Sequence, residues 1–201
     1  NSSGQPGSLL TGYNALTGKT NGRIDRNGHG TIVASLIKNQ RSLLGDFYGV
    51  APDAVIIPIQ VLGEDGSGSY ANVIAGIDWA VQNKNRLNIR VINLSIYAAP
   101  QSYYWEDPLN QAVMRAWQAG IVVVTSAGNS GPGAMSIGVP GNNPYVITVG
   151  SITDAYTPDN WADDYLPPFS TAGPTAEGFV KPDLLAPGGH MLGVMSDKSR
   201  L

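Results

Sequence analysis

The sequence predicts an α/β domain in which a doubly wound, mostly parallel sheet carries helices on both faces. Short apolar runs, typical of buried strands, alternate along the chain with stretches whose apolar residues recur at helical spacing. The strands are apolar along nearly their whole length, which is typical of parallel strands covered on both sides. Loops rich in glycine and serine follow three of them, at the sheet edge where such folds gather their functional sites.

The elements follow one another in a regular order. Four buried strands are predicted, over 54–61, 89–94, 121–125 and 145–149. Pro58 indicates an edge or a bulge in the first of these, because proline donates no ladder hydrogen bond. Two helices are predicted between the strands, one over 69–83 and one whose apolar stripe runs from Leu109 to Trp117. Gly120 is suited to end the second helix.

Composition indicates a single globular domain over residues 1–201, with residues 1–8 as a loop. Apolar residues make up 42% of the chain and charged residues 13%, so the chain is too apolar to remain disordered. The net charge of −3 comes without a basic cluster, which argues against nucleic acid as a partner. No apolar stretch is long enough to span a membrane, and the opening residues lack a signal-peptide pattern, so we expect a longer precursor.

The absence of cysteine excludes a thiol nucleophile and leaves two histidines as candidates for acid–base chemistry. A lone histidine is more often structural than catalytic, so sequence context has to separate them. His29 lies in residues 25–31 (DRNGHGT), where two glycines allow close approach of other backbone and a small apolar helix can follow. His190 ends the turn Ala-Pro-Gly-Gly-His, where a partly exposed loop histidine is the favoured interpretation.

A second candidate follows the strand over 121–125. The strand runs into small residues and then Asn129, which stands just after a glycine. Taken alone, this pattern fits a strand that ends in an Asx turn. Alternatively, the Asn129 amide donates a hydrogen bond to a developing oxyanion.

Six segments together resemble the subtilase family of serine peptidases, in that family's order and from about residue 10 to about residue 195. The segments are 28–31 (GHGT), 91–95 (VINLS), 126–129 (SAGN), 139–150 (VPGNNPYVITVG), 169–174 (FSTAGP) and 181–188 (KPDLLAPG). The resemblance implies a serine endopeptidase, extracellular or in the cell envelope, that acts on extended polypeptides without a catalytic cofactor. Besides its substrate, it implies a propeptide or the remaining parts of the same protein as partners.

The resemblance also implies a role for each matched residue. His29 would act as general base and Asn129 would hold the oxyanion. An extended substrate would pair with Ser95 and Ile96 on one side and with 66–68 on the other. The other substrate-binding residues would line two pockets, one for the side chain before the scissile bond and one further along. Ala127 and Gly128 would line the first pocket, and Tyr70 and Val73 would line the second. Segment 66–68 consists of Gly66, Ser67 and Gly68.

The acid and the nucleophile of the expected Asp-His-Ser triad have no match in the chain. Only 28 residues precede His29, none forms an Asp-Thr/Ser-Gly strand, and Asp25 matches an acidic position that is not catalytic in the family. Ser196 and Ser199 lack the Gly-Thr-Ser-Met-Ala setting of the nucleophile. We therefore expect a subtilisin-like domain incomplete at both ends, whose triad is completed in the parent protein and whose chain alone is inactive.

Two other classes remain as alternatives. A non-catalytic subtilase-like domain that binds peptides or serves as a scaffold is favoured somewhat by the missing residues and by Tyr97. A small-molecule α/β binding domain ranks last, because no Gly-x-Gly-x-x-Gly follows the first strand.

Two local departures from the family bear on specificity and on metal binding. Tyr97 and Ala98 stand where the family has two glycines, so the tyrosine either narrows the substrate cleft or points away. In segment 38–49, relatives often bind a structural calcium, and oxygens for one are available from Asn39, Gln40 and Asp46. Turn-forming polar residues are the favoured interpretation there, and a structural calcium is the second.

Overall fold

The structure is a computed structural model that describes residues 10–20, 25–39, 49–157, 159–195 and 199. The chain divides into two compact units, residues 1–76 with 192–201, and residues 77–191. The single domain predicted over residues 1–201 stays a prediction.

The first unit contains a short parallel strand pair, one helix and the start of a second helix. Strand β1 (Tyr13–Asn14) pairs with β2 (Ile59–Gln60), and helix α1 spans His29–Lys38. Helix α2 (Tyr70–Leu87) begins in this unit and is four residues longer at its end than the predicted 69–83. Its Gly76 lies close to β2 and the residue that follows it, since a Cβ at Gly76 would lie 3.0 Å from Ile59 Cγ2 and 2.6 Å from Val61 Cγ1.

The strand predicted over 54–61 is regular only at Ile59–Gln60, and Pro58 is the reason. The carbonyls of Ile56, Pro58 and Gln60 accept hydrogen bonds from the backbone of residues 10–15, at 2.9, 3.0 and 2.9 Å. Pro58 has no N–H to donate in return, so the ladder stays short. The irregularity expected at this proline is therefore present, but the strand length predicted around it was wrong.

The second unit is built on a four-stranded parallel sheet in the order β3-β4-β5-β6. The strands are β3 (Val91–Leu94), β4 (Val122–Ser126), β5 (Ile147–Ile152) and β6 (Leu184–Pro187). The first three begin one or two residues later than predicted and end zero to three residues later, and β6 was not among the predicted strands. Helix α3 (Pro108–Gln118) packs against β4, and a short 3-10 helix spans Trp161–Asp163.

Both ends of α3 are set by local sequence. The Asp107 carboxylate caps its first turn by accepting from the backbone N–H groups of Leu109 and Asn110, both at 2.9 Å. At the other end, Gly120 adopts a φ of 75° and the Ile121 N–H donates to Ala116 O at 3.0 Å. The helix end predicted at this glycine is confirmed.

The two faces of the four-stranded sheet differ in exposure. Leu94, Val123 and Thr148 are buried on one face. Side chains at alternate positions point to the other face, where Val91 and Val122 are exposed register partners. Of the helices in the described ranges, none is long and apolar enough to cross a membrane.

Candidate active site

His29 is the first residue of α1, and Gly28 places it there. Gly28 is buried and has a φ of 106°, a left-handed conformation that favours glycine. The His29 N–H donates to Asn27 Oδ1 at 3.3 Å, whereas the side chain is exposed. Within the described residues, no side chain hydrogen-bonds the imidazole. A fixed backbone therefore presents a ring whose nitrogens are available for proton transfer.

Asp25 holds the backbone that precedes and follows His29. One carboxylate oxygen accepts from the N–H groups of Asn27 and Gly28, at 3.1 and 2.8 Å. The other accepts from both the N–H and the hydroxyl of Thr31, each at 2.8 Å. Burial raises the pKa of Asp25, but these hydrogen bonds, with that from Gly28 foremost, outweigh it and the pKa lies below its ordinary value. Asp25 thus serves the helix start, in agreement with the non-catalytic role predicted for it.

The loop that carries His29 contacts the predicted substrate-binding segment of the same unit. Arg26 forms an exposed ion pair with Glu64 at 2.9 Å, and Asn27 Nδ2 donates to Glu64 O at 3.2 Å. A Cβ at Gly66 would lie 3.1 Å from Asn27 Nδ2. The structure therefore brings the histidine loop and segment 66–68 together.

Segment 66–68 closes a compact turn with one backbone edge left open. The Gly63 N–H donates to Ser67 O at 2.7 Å, and the Ser67 hydroxyl donates to Asp65 at 2.7 Å. The N–H of Gly68 has no hydrogen-bond partner in the described part of the chain. This exposed glycine is a suitable place for another backbone to pair.

Tyr70 and Val73, which were predicted to line a hydrophobic pocket, differ in burial. Tyr70 is half-buried at the start of α2, whereas Val73 is 5% exposed and belongs to the core. Burial alone does not decide whether a side chain lines a pocket, so the assignments of Tyr70 and Val73 both stay predictions.

Asn129 follows β4 in the second unit. Ala127 is buried, and the buried Gly128 adopts a φ of 113°, which turns the chain sharply at the strand end. Asn129 itself is exposed, and its side-chain amide has no hydrogen-bond partner among the described residues. The Asx turn considered for this residue is thus not formed, and the amide is available as a donor.

Ser95 and Ile96 continue from β3, which lies at one end of the strand order. The Ser126 hydroxyl donates to Ile96 O at 3.1 Å, and Asn93 Nδ2 donates to Ser95 Oγ at 2.9 Å. Across the described ranges, the N–H groups of Ser95 and Ile96 have no backbone acceptor. The structure brings this segment beside residues 126–129. The N–H groups of Ser95 and Ile96 are therefore available to hydrogen-bond an added strand.

Tyr97 does not point away from these residues. Its ring lies against Gly128 and also against Gly138, and a Cβ at either glycine would overlap it. Of the two orientations left open by the sequence, the structure has the one that narrows the space beside Gly128.

His190 has a structural environment. Its ring stacks on Tyr156 with centroids 3.5 Å apart, and Nδ1 lies 3.3 Å from the Thr153 hydroxyl and 3.7 Å from Asp154. These contacts agree with the structural interpretation of this histidine.

Lys181 is a buried charge whose role the sequence analysis missed. Its ammonium is 3% exposed and donates to Val146 O at 2.9 Å and to Asp183 at 2.6 Å. Asp183 also accepts from the Thr148 N–H at 2.7 Å, so the pair ties the segment before β6 to β5. Hydrophobic periodicity gives no signal for such a lysine, because Val146 lies 35 residues away in the chain and only Asp183 is near in sequence.

The predicted calcium ligands fall mostly outside the described residues. Gln40 and Asp46 lie outside them, as does Ser196, whereas Asn39 ends α1. Among the residues that are described, no three His, Asp or Glu side chains cluster as metal ligands. The structural calcium stays a prediction.

His29 begins a helix in one unit, and Asn129 follows a parallel strand in the other. The chain belongs to the subtilase family, whose model matches residues 11–201. It is therefore a member of a family of subtilisin-like serine proteases, as the sequence motifs predicted.

Individual relatives agree with this assignment. The chain is 38% identical over 196 residues to serine protease AprX of Bacillus subtilis (strain 168), which covers 94% of this chain and 44% of the relative. It is 41% identical over 130 residues to subtilisin DY of Bacillus licheniformis, covering 64% of this chain and 44% of that protein. The chain thus spans less than half the length of these curated relatives.

Solved structures confirm the predicted fold class. A cold adapted subtilisin-like serine proteinase superposes with a TM-score of 0.72 at 31% identity, covering 95% of this chain and 59% of that one. The S41 psychrophilic protease gives a TM-score of 0.72 at 31% identity, covering 87% of this chain and 57% of that one.

Proposed function

We propose that the protein to which this chain belongs is a serine endopeptidase that hydrolyses extended polypeptides through an Asp-His-Ser triad. The observation that carries the proposal is His29, which is exposed at the start of α1 and lies within the residues matched by the model of a serine protease family. No Asp-Thr/Ser-Gly or Gly-Thr-Ser-Met-Ala motif occurs in these 201 residues. We therefore expect the acid and the nucleophile from the parent protein, and no activity from this chain alone.

His29 is the general base of this proposal. Its imidazole accepts the proton of the serine hydroxyl as the serine oxygen bonds to the scissile carbonyl carbon. The same proton then passes to the leaving amine when the carbon–nitrogen bond breaks. A water repeats the sequence on the acyl-enzyme and regenerates the serine. The support from the structure is the available imidazole on a backbone that Asp25 and Gly28 fix.

Asn129 is the proposed oxyanion donor. Negative charge develops on the carbonyl oxygen as the tetrahedral intermediate forms, and a donor that is already oriented stabilises it without reorganisation. The support is an exposed side-chain amide with no competing partner in the described chain, held by the buried Ala127 and Gly128. Ala127 and Gly128 would also form one wall of the pocket for the side chain before the scissile bond.

Substrate would bind by strand addition. The backbone N–H groups of Gly68, Ser95 and Ile96 lack acceptors in the described residues, and an extended peptide supplies such acceptors at regular spacing. Folded substrates have their own backbone paired, so the proposed substrate is an unfolded or locally extended polypeptide. Catalysis requires no cofactor in this proposal, and an extracellular or cell-envelope location follows from the family alone.

The experiment compares an unfolded with a folded substrate. The full-length protein is incubated with reduced, carboxymethylated ribonuclease and with native ribonuclease, and the fragments are identified by mass spectrometry. We expect internal cuts in the unfolded substrate only, and none after treatment with a fluorophosphonate. A folded full-length protein that binds the unfolded chain without cutting it would contradict the proposal and favour the non-catalytic peptide-binding domain.

A further inference from the structure

The backbone around Tyr97 is anchored on both sides by residues far away in the chain. Before it, Ile96 O accepts the Ser126 hydroxyl at 3.1 Å. After it, the Ala98 N–H donates to Val139 O at 3.1 Å and Ala98 O accepts from the Val139 N–H at 2.9 Å. These bonds fix the Cα–Cβ direction of Tyr97 between β4 and the segment around Val139.

The Tyr97 ring occupies space that two glycines leave open. A Cβ at Gly128 would lie 2.6 Å from the ring atom Cε2 and 3.3 Å from Thr171 Cγ2, and a Cβ at Gly138 would also overlap the ring. Gly138 is itself joined to the Gly128 region, since its N–H donates to Ala127 O at 3.3 Å. The ring therefore packs on bare backbone, with 41% of the residue still exposed.

This space adjoins the residues assigned to substrate binding. Ala127 and Gly128 form the proposed wall of the S1 pocket, which receives the side chain just before the scissile bond (the P1 residue). Ser95 and Ile96, directly before Tyr97, are the proposed pairing strand. A side chain entering along the Gly128 wall meets the tyrosine ring.

We infer that Tyr97 fills the S1 pocket and restricts the protease to substrates with a small P1 residue, an inference that rests on the proposed function. Glycine, alanine or serine at P1 fits against the ring as it stands. A phenylalanine at P1 requires the ring to leave its packing on Gly128 and Gly138. Pockets discriminate by roughly tenfold or more for one methylene group, so a filled pocket should discriminate at least that strongly against an aromatic side chain.

The test varies the P1 residue and the ring independently. The full-length protein, Tyr97→Gly and Tyr97→Phe are assayed on succinyl-Ala-Ala-Pro-Ala and succinyl-Ala-Ala-Pro-Phe anilides, and kcat/KM is compared. We expect the unsubstituted protein to favour alanine by at least about tenfold, and Tyr97→Gly to shift the ratio towards phenylalanine by at least about tenfold. Tyr97→Phe keeps the ring and should keep the original ratio.

Equal or better cleavage of the phenylalanine anilide by the unsubstituted protein would overturn the inference, as would an unchanged ratio in Tyr97→Gly. Circular dichroism melting verifies that the variants fold, and Tyr97→Ala replaces Tyr97→Gly if the glycine variant does not. If the folded protein cuts neither anilide nor unfolded ribonuclease, the proposed function fails. The inference is then decided by the relative affinities for the tetrapeptide acids ending in alanine or phenylalanine, which Tyr97→Gly should shift in the same direction.

Discussion

The loop that carries His29 and the loop that carries Asn129 are held by different means. A side-chain carboxylate, that of Asp25, organises the first through hydrogen bonds from Asn27, Gly28 and Thr31. Backbone organises the second, where Gly128 O accepts from both the N–H and the hydroxyl of Thr171, at 3.3 and 3.2 Å.

The different anchoring of the two loops predicts different responses to pH. A general base moves a proton in each turnover, whereas an oxyanion donor only has to point at a developing charge. The loop that carries His29, the proposed base, depends on a titratable group, so its stability should vary with pH. The loop that carries Asn129, the proposed oxyanion donor, has no carboxylate among these contacts, so its stability should not vary with pH. Substitutions in the two loops test this difference.

The largest effect is expected from removing the base. In the full-length protein, His29→Ala should lower kcat by about a millionfold, because the serine hydroxyl then has no proton acceptor. Hydrolysis of a peptide anilide under saturating substrate measures this. A loss of less than about tenfold would show that another group acts as the base.

Removing the oxyanion donor should cost less. Asn129→Leu has a similar shape without the amide, and we expect kcat to fall by about a hundredfold to a thousandfold with little change in KM. The reason is that the amide binds charge present mainly in the transition state. Steady-state kinetics on the same anilide measures both constants, and a change confined to KM would assign Asn129 to ground-state binding instead.

Disrupting the carboxylate of the first loop should act on stability. Asp25→Asn loses acceptor capacity at the start of α1, and we expect the free energy of unfolding to fall by about 1 kcal/mol. Urea denaturation of the full-length protein measures it. Asp53→Asn is the matched control, because Asp53 is an exposed carboxylate without a hydrogen bond in the described part of the chain. Equal effects of the two substitutions would contradict the role of Asp25.

The smallest expected effect is a difference between the two loops in how their contribution to the free energy of unfolding depends on pH. Hydrogen bonds lower the pKa of Asp25 in the folded protein, so its stabilisation is fully present above the unfolded carboxyl pKa of about 3.9. It is lost as the pH falls through the lower folded value. The difference in unfolding free energy between the unsubstituted protein and Asp25→Asn should therefore shrink below about pH 4, whereas that for Asn129→Leu should stay constant. Parallel pH dependences would remove the distinction between the loops.

Structural features that depend on local chemistry were predictable from the sequence, whereas features that depend on long-range contacts were not. Gly120 ends α3 because of its own conformational freedom, and Pro58 disturbs its strand because it lacks an N–H, so both were predictable in kind. The direction of the Tyr97 ring depends on Ser126 and Val139, which lie about thirty and forty residues away in the chain. No periodicity or local motif encodes such contacts.

The same contrast between local and long-range determinants applies to the candidate site. His29 and Asn129 were found from motifs whose glycines are needed where they stand, at Gly28 and Gly128. For Val73, helical spacing shows that the residue is apolar and on one face of α2 but not whether that face belongs to the core or to a pocket. The buried charge of Lys181 was missed because Val146 becomes its hydrogen-bond partner only when β5 and β6 pair.

Covalent labelling of the full-length protein by a fluorophosphonate tests whether His29 is the catalytic base, because the reagent reports a serine activated by a neighbouring base. The unsubstituted protein, His29→Ala and His190→Ala are compared after each is shown to fold by circular dichroism. We predict stoichiometric labelling of the unsubstituted protein and of His190→Ala, and none of His29→Ala. Labelling that persists in His29→Ala, or that is lost only in His190→Ala, would contradict the role of His29 as the catalytic base.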